Sequence, residues 1–200
     1  RQEYVHSHHR STIEQREIGS DARSFTEALR SVFRQTPDVI MIGEMRDLET
    51  MQLALTLAET GHLILATLHT QDATHSINRI VDSFPSGQQE QVYVQLSMVL
   101  VGVISQQLLI TRDRQSRVLA CEIMNVGNAI RNLIRENEIQ QIYSVIQTGR
   151  SEGMMTMNES LLDLVRLGMI DIDLALRRSP RPKELRNQLN QHQLLEGVRR

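Results

Sequence analysis

The chain has 200 residues, 40% of them hydrophobic and 23% charged, and a formal net charge of -2 at pH 7. This length supports one medium domain with a small one, and the charge gives no basic footprint, so we expect no nucleic-acid partner. The most apolar stretch, residues 98–104, is far too short to span a bilayer. Cys121 is the single cysteine, which excludes an internal disulfide and favours a reducing compartment.

Residues 1–10 are polar and predict a loop that carries several histidines. His6, His8 and His9 lie close together in this segment and could hold a metal ion. Histidines on flexible backbone more often lie in solvent, and solvent exposure is therefore our interpretation of this cluster.

A strand and a helix are predicted next. Residues 12–18 alternate imperfectly between polar and apolar side chains, which favours a strand. Ser24 followed by Glu27 is a capping-box pattern, and the apolar stripe behind it predicts a helix over 24–35. Arg34 on this helix is interpreted as a solvated side chain.

A buried strand is predicted at residues 39–42, an apolar run that Gly43 closes. Such a run is typical of a parallel-sheet strand that is covered on both faces. Glu44 then stands at the carboxyl end of the strand, where open α/β sheets place their ligand chemistry. An apolar strand ending in Gly-Glu resembles a Walker B element, in which an acid handles magnesium-bound nucleotide or the attacking water. Gly43 replaces the usual acid, and a purely structural Glu44 is the alternative.

A helix and a second strand complete this unit. Apolar residues at helical spacing predict a helix over 48–59, and Gly61 is placed to end it. A second apolar run, residues 63–68, is closed by His69. A parallel strand–helix–strand unit would place Glu44 and His69 at the same edge of one sheet.

Helices and a hairpin are predicted after this unit. The helices cover 73–83 and 88–107, and Gly102 inside the longer one would permit close packing. The hairpin has strands at 108–110 and 117–123.

The remaining residues predict short helices and a tail. The helices are expected at 138–147, 158–167 and 171–177. The tail, residues 179–200, is polar, and Leu185, Leu189 and Leu194 allow a weak amphipathic helix in it. The expected domains are a nucleotide-binding part over 1–123, a helical domain over 124–178, and a polar, flexible tail over 179–200.

Three strings of the sequence carry a family resemblance. Residues 43–50 read GEMRDLET, residues 59–70 read ETGHLILATLHT, and residues 129–136 read AIRNLIRE. The first two resemble the atypical Walker B box and the His box of the secretion-type ATPases that drive type IV pili and type II secretion. The third resembles the signature of the pilus-retraction branch, the PilT-like ATPases. The resemblance extends over about residues 4–170.

This resemblance implies a fold, an activity and partners. The fold is α/β: part of a RecA-like nucleotide-binding core with a mostly parallel sheet, followed by a small all-helical domain. The activity is ATP hydrolysis with Mg²⁺ in a homo-hexamer, which drives pilus retraction and twitching motility. The implied location is cytoplasmic, at the inner face of the cytoplasmic membrane, peripheral and not inserted. The implied partner there is the inner-membrane platform protein at the pilus base.

The resemblance also assigns roles to residues around the nucleotide. Glu44 would position or polarise the attacking water and would reach the metal indirectly, through water. His69 would sense or contact the γ-phosphate, and Gly43 and Thr70 would line the nucleotide site with these two side chains. His62, deeper in the His box, is interpreted as a structural hydrogen-bonding residue.

The resemblance places two arginines and one helix at contacts with other molecules. By the resemblance, Arg30 and Arg46 act as fingers on the phosphates of a neighbouring subunit, a role that suits the bidentate guanidinium group. The retraction signature is expected to be an interaction segment; it consists of Ala129, Ile130, Arg131, Asn132, Leu133, Ile134, Arg135 and Glu136.

The sequence contains no phosphate-binding loop of the Walker A type. Such a loop needs a Gly-rich turn with a lysine, and the single lysine here is Lys183, within SPRPKEL. We therefore expect the chain to be the carboxyl-terminal part of a longer ATPase and to be inactive alone. The alternatives are a type II secretion or pilus-assembly ATPase, or a truncated non-catalytic module that assembles with intact subunits. A metal hydrolase built on Glu44 is disfavoured, because no pair of histidines has the helical metalloprotease spacing.

Overall fold

The computed structural model describes residues 4–32 and 34–192. Within these residues the strands are β1 Val39–Ile42, β2 Leu63–Ala66, β3 Gly102–Ile110 and β4 Arg117–Asn125. The helices are α1 Phe25–Val32, α2 Leu48–Glu59, α3 Ala73–Val81, α4 Ser86–Val99, α5 Asn128–Arg135, α6 Ile142–Thr148, α7 Met157–Arg166, α8 Ile172–Arg178 and α9 Pro182–Gln191. The chain divides into two compact units, Arg1–Leu68 and His69–Arg200. The expected α/β class, with a parallel strand pair and a helical part, is confirmed.

The first unit is built on the predicted strand–helix–strand segment. β1 and β2 pair in parallel, in a register that places Val39 opposite Leu63 and Ile42 opposite Ala66. Between them, α2 occupies exactly the predicted residues, because local signals define both of its ends. The Asp47 side chain accepts a hydrogen bond from the Thr50 amide at 2.8 Å, and Gly61 adopts a φ of +96° just beyond the last turn.

The core of the first unit lies on one face of the strand pair. Its buried residues come from α1, β1 and α2: Leu29, Ile40, Ile42, Ala54 and Leu57. Alternate strand residues such as Val39 and Met41 are exposed. The expectation that β1 is covered on both faces is therefore not met within the described residues, since one layer of helices covers one face.

The predicted strand at 12–18 is not formed. In this region the structure shows only an isolated bridge between Ile18 and Ala22. A strand needs a neighbour that satisfies its backbone N–H and C=O groups. No described segment pairs with residues 12–17, so alternating side chains alone were not sufficient evidence for a strand.

The second unit contains the hairpin, which is longer than predicted. β3 and β4 pair antiparallel from Gly102 opposite Asn125 to Ile110 opposite Arg117. The predicted helix over 88–107 is wrong in its second half, because α4 ends at Val99 and residues from Gly102 onward belong to β3. The apolar run at 98–104 suits either element, and periodicity alone cannot distinguish them.

Gly102 does mark a close packing contact, although in a strand instead of a helix. A Cβ atom at this position would lie 2.9 Å from the backbone oxygen of Met124, its neighbour across the hairpin. A larger residue would therefore push the two strands apart at their open end.

The helices of the second unit pack against one face of the hairpin. The buried cluster is contributed mainly by β3, β4 and α7–α9: Leu109, Ala120, Met157, Leu161, Leu162, Leu164, Val165, Ile170, Ala175, Leu185 and Leu189. α7 begins with a complete capping box, in which Thr156 and Glu159 exchange side-chain and backbone hydrogen bonds.

The region expected to be a polar, flexible tail contains a packed helix. Leu185 and Leu189 of α9 are fully buried in the cluster just described. Their spacing of four residues places both on one face of the helix, so two leucines suffice to hold an otherwise polar segment. The amphipathic helix predicted from the leucines is therefore present, whereas Leu194 lies outside the described residues. The domain boundaries predicted at residues 123 and 178 stay predictions.

Candidate functional site

Glu44 is held at the end of β1 by a backbone link to the segment after β2. The hydroxyl of Thr67 donates to the Gly43 carbonyl, and the Met45 amide donates to the Thr67 carbonyl at 3.2 Å. The residues on both sides of Glu44 are thus tied to one residue of the neighbouring segment. The position of the Glu44 backbone is fixed by the parallel strand pair, and Thr67 is a site residue that the sequence reasoning missed.

Glu44 forms an ion pair with Arg46. The Arg46 Nη2 atom lies 2.5 Å from the Glu44 Oε2 atom, and the Glu44 side chain is 23% exposed while that of Arg46 is 76% exposed. The hydrogen bond and the charge of Glu44 raise the pKa of Arg46 above its ordinary value, so the guanidinium stays charged. Two predicted site residues are therefore brought together within one chain.

Gly43 shows a feature that fits a ligand near the backbone. Its φ is outside the left-handed region, and a Cβ atom added here would meet no atom within 4 Å. Neither backbone conformation nor packing among the described residues requires glycine at this position. The missing side chain leaves the backbone at this position open to close approach.

Arg30 forms an ion pair with Glu49, whereas Arg46 pairs with Glu44. The Arg30 Nη2 atom is 3.4 Å from Glu49 Oε1, in the first turn of α2, and both side chains are exposed. Exposed pairs of this kind contribute about 0–1 kcal/mol to stability. The Arg30 guanidinium is therefore held weakly by its own chain.

His69 and Thr70 belong to the second unit, just before α3. The Thr70 and Ser76 hydroxyl groups share a hydrogen bond of 2.6 Å, and Ser76 also donates to the Asp72 carbonyl. Asp72 begins the helix by accepting from the His75 amide at 2.8 Å. Thr70 is thus attached to the first turn of α3, which follows the His box directly.

The charge of Asp72 is stabilised at this helix start. Burial raises the pKa of Asp72, but hydrogen bonds from the His75 amide, the Thr74 hydroxyl and the His75 side chain outweigh it, and the pKa is lowered overall. An ionised carboxylate at a helix amino terminus also complements the helix dipole. The segment that carries His69 and Thr70 is therefore followed by a firmly capped helix.

His62 makes the structural contacts that we expected of it. Its Nδ1 atom lies 3.1 Å from the Leu57 carbonyl oxygen and 3.1 Å from the Thr60 hydroxyl. Both partners belong to the carboxyl-terminal end of α2. The ring therefore stabilises the turn between α2 and β2.

The AIRNLIRE string, residues 129–136, lies mostly in α5 and has a buried group and an exposed group. Ile130 and Ile134 are buried, and the Arg131 Nη1 atom donates to the carbonyls of Ser97 at 2.7 Å and Met98 at 2.8 Å. These carbonyls lie at the end of α4, where a cation is favourable. The exposed group comprises Ala129, Asn132, Arg135 and Glu136. Arg135 contacts both Asn132 and Glu136.

Two negative findings limit the chemistry of the described residues. They contain no group of three His, Cys, Asp or Glu side chains that could hold a metal ion directly. Among them, too, no helix has the length and apolar character needed to cross a membrane.

Comparison with known proteins identifies the class to which the fold and these motifs belong. The chain belongs to the type II/IV secretion system protein family, whose model matches residues 7–194.

Individual relatives point to one branch of this family. The chain is 53% identical over 177 residues to the twitching motility protein of Neisseria gonorrhoeae, covering 88% of this chain and 47% of that protein. It is 49% identical over 181 residues to the type IV pilus retractation ATPase PilT of Pseudomonas aeruginosa, covering 90% of this chain and 52% of that protein. The chain therefore spans about half the length of these curated relatives.

A solved structure supports the same assignment. The crystal structure of the pilus retraction motor PilT with bound ADP matches with a TM-score of 0.86 and 51% sequence identity. The match covers 92% of this chain and 52% of that structure. At this identity the likeness extends beyond the fold to the sequence motifs that the fold carries.

Proposed function

We propose that this chain is part of a longer protein, which we call the complete protein. The complete protein is a hexameric ATPase that drives type IV pilus retraction. The observation that carries the proposal is 53% identity over 88% of the chain to a twitching motility protein. The site supports it, because a carboxylate at the end of a parallel strand, beside an open glycine, suits nucleotide hydrolysis. A type II secretion or pilus-assembly ATPase is the alternative within the family.

In this proposal four residues of the chain bind the nucleotide. Gly43, Glu44, His69 and Thr70 line ATP, and Glu44 also accepts a hydrogen bond from the attacking water. Mg²⁺, when bound with ATP, would neutralise phosphate charge, and Glu44 would contact it through water. The bound ADP in the PilT crystal structure supports nucleotide binding.

The proposed partners follow from the same class of motor. The protein assembles as a homo-hexamer, in which Arg30 and Arg46 reach the phosphates of a neighbour. It works in the cytoplasm, at the inner face of the cytoplasmic membrane, against an inner-membrane platform protein at the pilus base. The exposed group of the AIRNLIRE string is the proposed contact of the retraction signature, since the other side of the helix packs on α4.

We expect the 200-residue chain alone to show no significant ATPase activity. Its single lysine, Lys183, lies in the first turn of α9 and is not part of a Gly-rich loop, so the phosphates would lack their usual cradle. A steady-state assay with Mg²⁺ and ATP on the purified chain checks this. Turnover that depends on Mg²⁺ and that Glu44→Gln abolishes would contradict the expectation.

Retraction can be separated from assembly in cells that carry Glu44→Gln in the complete protein. A retraction motor without hydrolysis should leave cells with extended pili and no twitching, because assembly continues unopposed. An assembly motor would leave cells without pili, and a secretion motor would leave pili and twitching intact. Electron microscopy of surface pili together with a twitching assay distinguishes the three results. Glu90→Gln, at an exposed position on α4, is the matched control.

A further inference from the structure

Glu122 is a buried carboxylate in the second unit that no role above uses. It lies on β4, where Ala120 and Met124 are its fully buried neighbours in the inward-facing row, and its own exposure is 2%. An ionisable side chain in an apolar row is costly unless its oxygens are hydrogen-bonded. The hydrogen-bond partners of Glu122 therefore indicate its structural role.

The two oxygens of Glu122 are divided between two helices. Oε1 accepts a hydrogen bond from the Ala73 amide at 2.9 Å, and Oε2 accepts one from the Met157 amide at 3.4 Å. Ala73 and Met157 are the first residues of α3 and α7. Amino-terminal amides of helices have no partner within the helix, and the helix dipole favours a negative charge there. One carboxylate thus joins two helix starts that are far apart in sequence.

The groups around Glu122 shift its pKa in opposite directions. Burial raises the pKa of Glu122, as does the neighbouring Asp72 carboxylate at the start of α3. The hydrogen bonds from the Ala73 and Met157 amides and the charge of Arg181, just before α9, act in the opposite direction. On balance burial prevails and the pKa of Glu122 is raised above its ordinary value, so the two helix starts offset part of the cost of burying the charge.

Each of the two helices leads to a segment with a proposed role. α3 follows His69 directly, and its Ser76 is bonded to Thr70. α7 follows the short helices after the retraction signature and carries much of the helical core. We propose that Glu122 is a positioning residue, which couples the His69–Thr70 segment to the helical part and so transmits motion between them. This inference rests on the proposed ATPase function.

The link between α3 and α7 needs an acceptor at both side-chain oxygens of Glu122. An ionised carboxylate accepts at both oxygens, whereas glutamine of the same length has one acceptor and one NH₂ group. Glu122→Gln therefore leaves one buried helix-start amide facing another donor. Glu159→Gln is the matched control, because Glu159 Oε2 accepts from the Thr156 amide and so supports only the start of α7.

The test combines turnover and hydrogen exchange in the complete protein. For Glu122→Gln we expect faster amide exchange at the first turns of both α3 and α7. We also expect kcat to fall about ten- to hundredfold while KM for ATP stays within about twofold, because a displaced catalytic segment slows the reaction more than binding. For Glu159→Gln we expect faster exchange at α7 alone and nearly unchanged kcat.

Three results would overturn the coupling. They are an unchanged kcat in Glu122→Gln, exchange that rises at one helix only, or an equal loss of kcat in Glu159→Gln. If Glu122→Gln does not fold, Glu122→Asp takes its place: it keeps the charge but is too short to reach both amides, so the same readouts apply. Absence of ATPase activity in the unmutated complete protein would count against the proposed function instead, and the exchange pattern would still report on Glu122.

Discussion

Replacing Glu44 by glutamine is expected to lower ATP turnover of the complete protein by about 10²–10⁴-fold, the range that a positioned acid or base supplies. ATP affinity should change little, because glutamine keeps the shape of the side chain and loses only its charge. Steady-state turnover and equilibrium binding of labelled ATP, measured on the same preparation, check the two halves of this expectation.

The ion pair with Arg46 provides the main competing explanation for such a loss. Glu44→Gln also breaks that pair, so a loss of activity could reflect a displaced Arg46. Arg46 is largely exposed, and exposed pairs contribute little to stability, so thermal unfolding of the variant should match the unmutated protein. Glu90→Gln is the control for the same substitution at an exposed position, on α4.

The losses of turnover in Glu44→Gln and in Arg46→Ala, compared with each other, decide between these explanations. If Glu44 acts on water, Arg46→Ala should keep the Glu44 carboxylate of each subunit in place and should lower turnover by a different amount from Glu44→Gln. An equal loss of ATP affinity and turnover in Glu44→Gln would mean that this residue holds the nucleotide or the fold and does not act on water.

Local signals explain why the strand–helix–strand segment was predictable from sequence. The limits of α2 follow from Asp47 at its start and Gly61 after its end, and both signals operate within a few residues. The same kind of signal was ambiguous at 98–104, where the apolar run fits a helix or a strand. There the antiparallel partner β4, distant in sequence, decides in favour of β3.

The sequence names candidate site residues where a motif contains them, and these roles stay predictions; contacts between distant segments could not be read from it. Glu44 was found from the strand that precedes it and from the family strings. Other features depend on contacts in the folded chain. They are the hydrogen bonds of Thr67 beside Glu44, the ion pair of Arg46 with Glu44, and the two hydrogen bonds that Glu122 accepts. A buried glutamate in a strand was the one available signal for Glu122, since such residues need partners.

Mixed hexamers of Arg30→Ala and Glu44→Gln subunits are expected to regain activity that each variant lacks alone. The proposal places Arg30 in the site of a neighbouring subunit, and arginine fingers are worth about 10³–10⁵ in kcat. An Arg30→Ala subunit keeps its Glu44, and a Glu44→Gln subunit keeps its Arg30. In a closed ring with one repeated interface, roughly a quarter of the interfaces in a random equimolar mixture carry both groups intact.

Arg30 is the better arginine for this experiment because of its contacts. Arg46 is bound to Glu44 of its own chain, so its removal alters both groups at once. The ion pair between Arg30 and Glu49 is 3.4 Å long and exposed. Its loss should not disturb the subunit in which Arg30 is replaced. Arg34→Ala, a nearby exposed arginine just beyond α1, is the matched control and should retain turnover in unmixed hexamers.

The mixing ratio separates action in trans from action within one subunit. If Arg30 serves its own subunit's site, every subunit in the mixture lacks one required group, and no ratio restores turnover. If Arg30 forms only a surface ion pair, Arg30→Ala alone retains most of its activity. Turnover that is greatest near equal proportions, in hexamers verified by native mass spectrometry, is the result that action in trans requires, because only neighbouring subunits of different type can then complete a site.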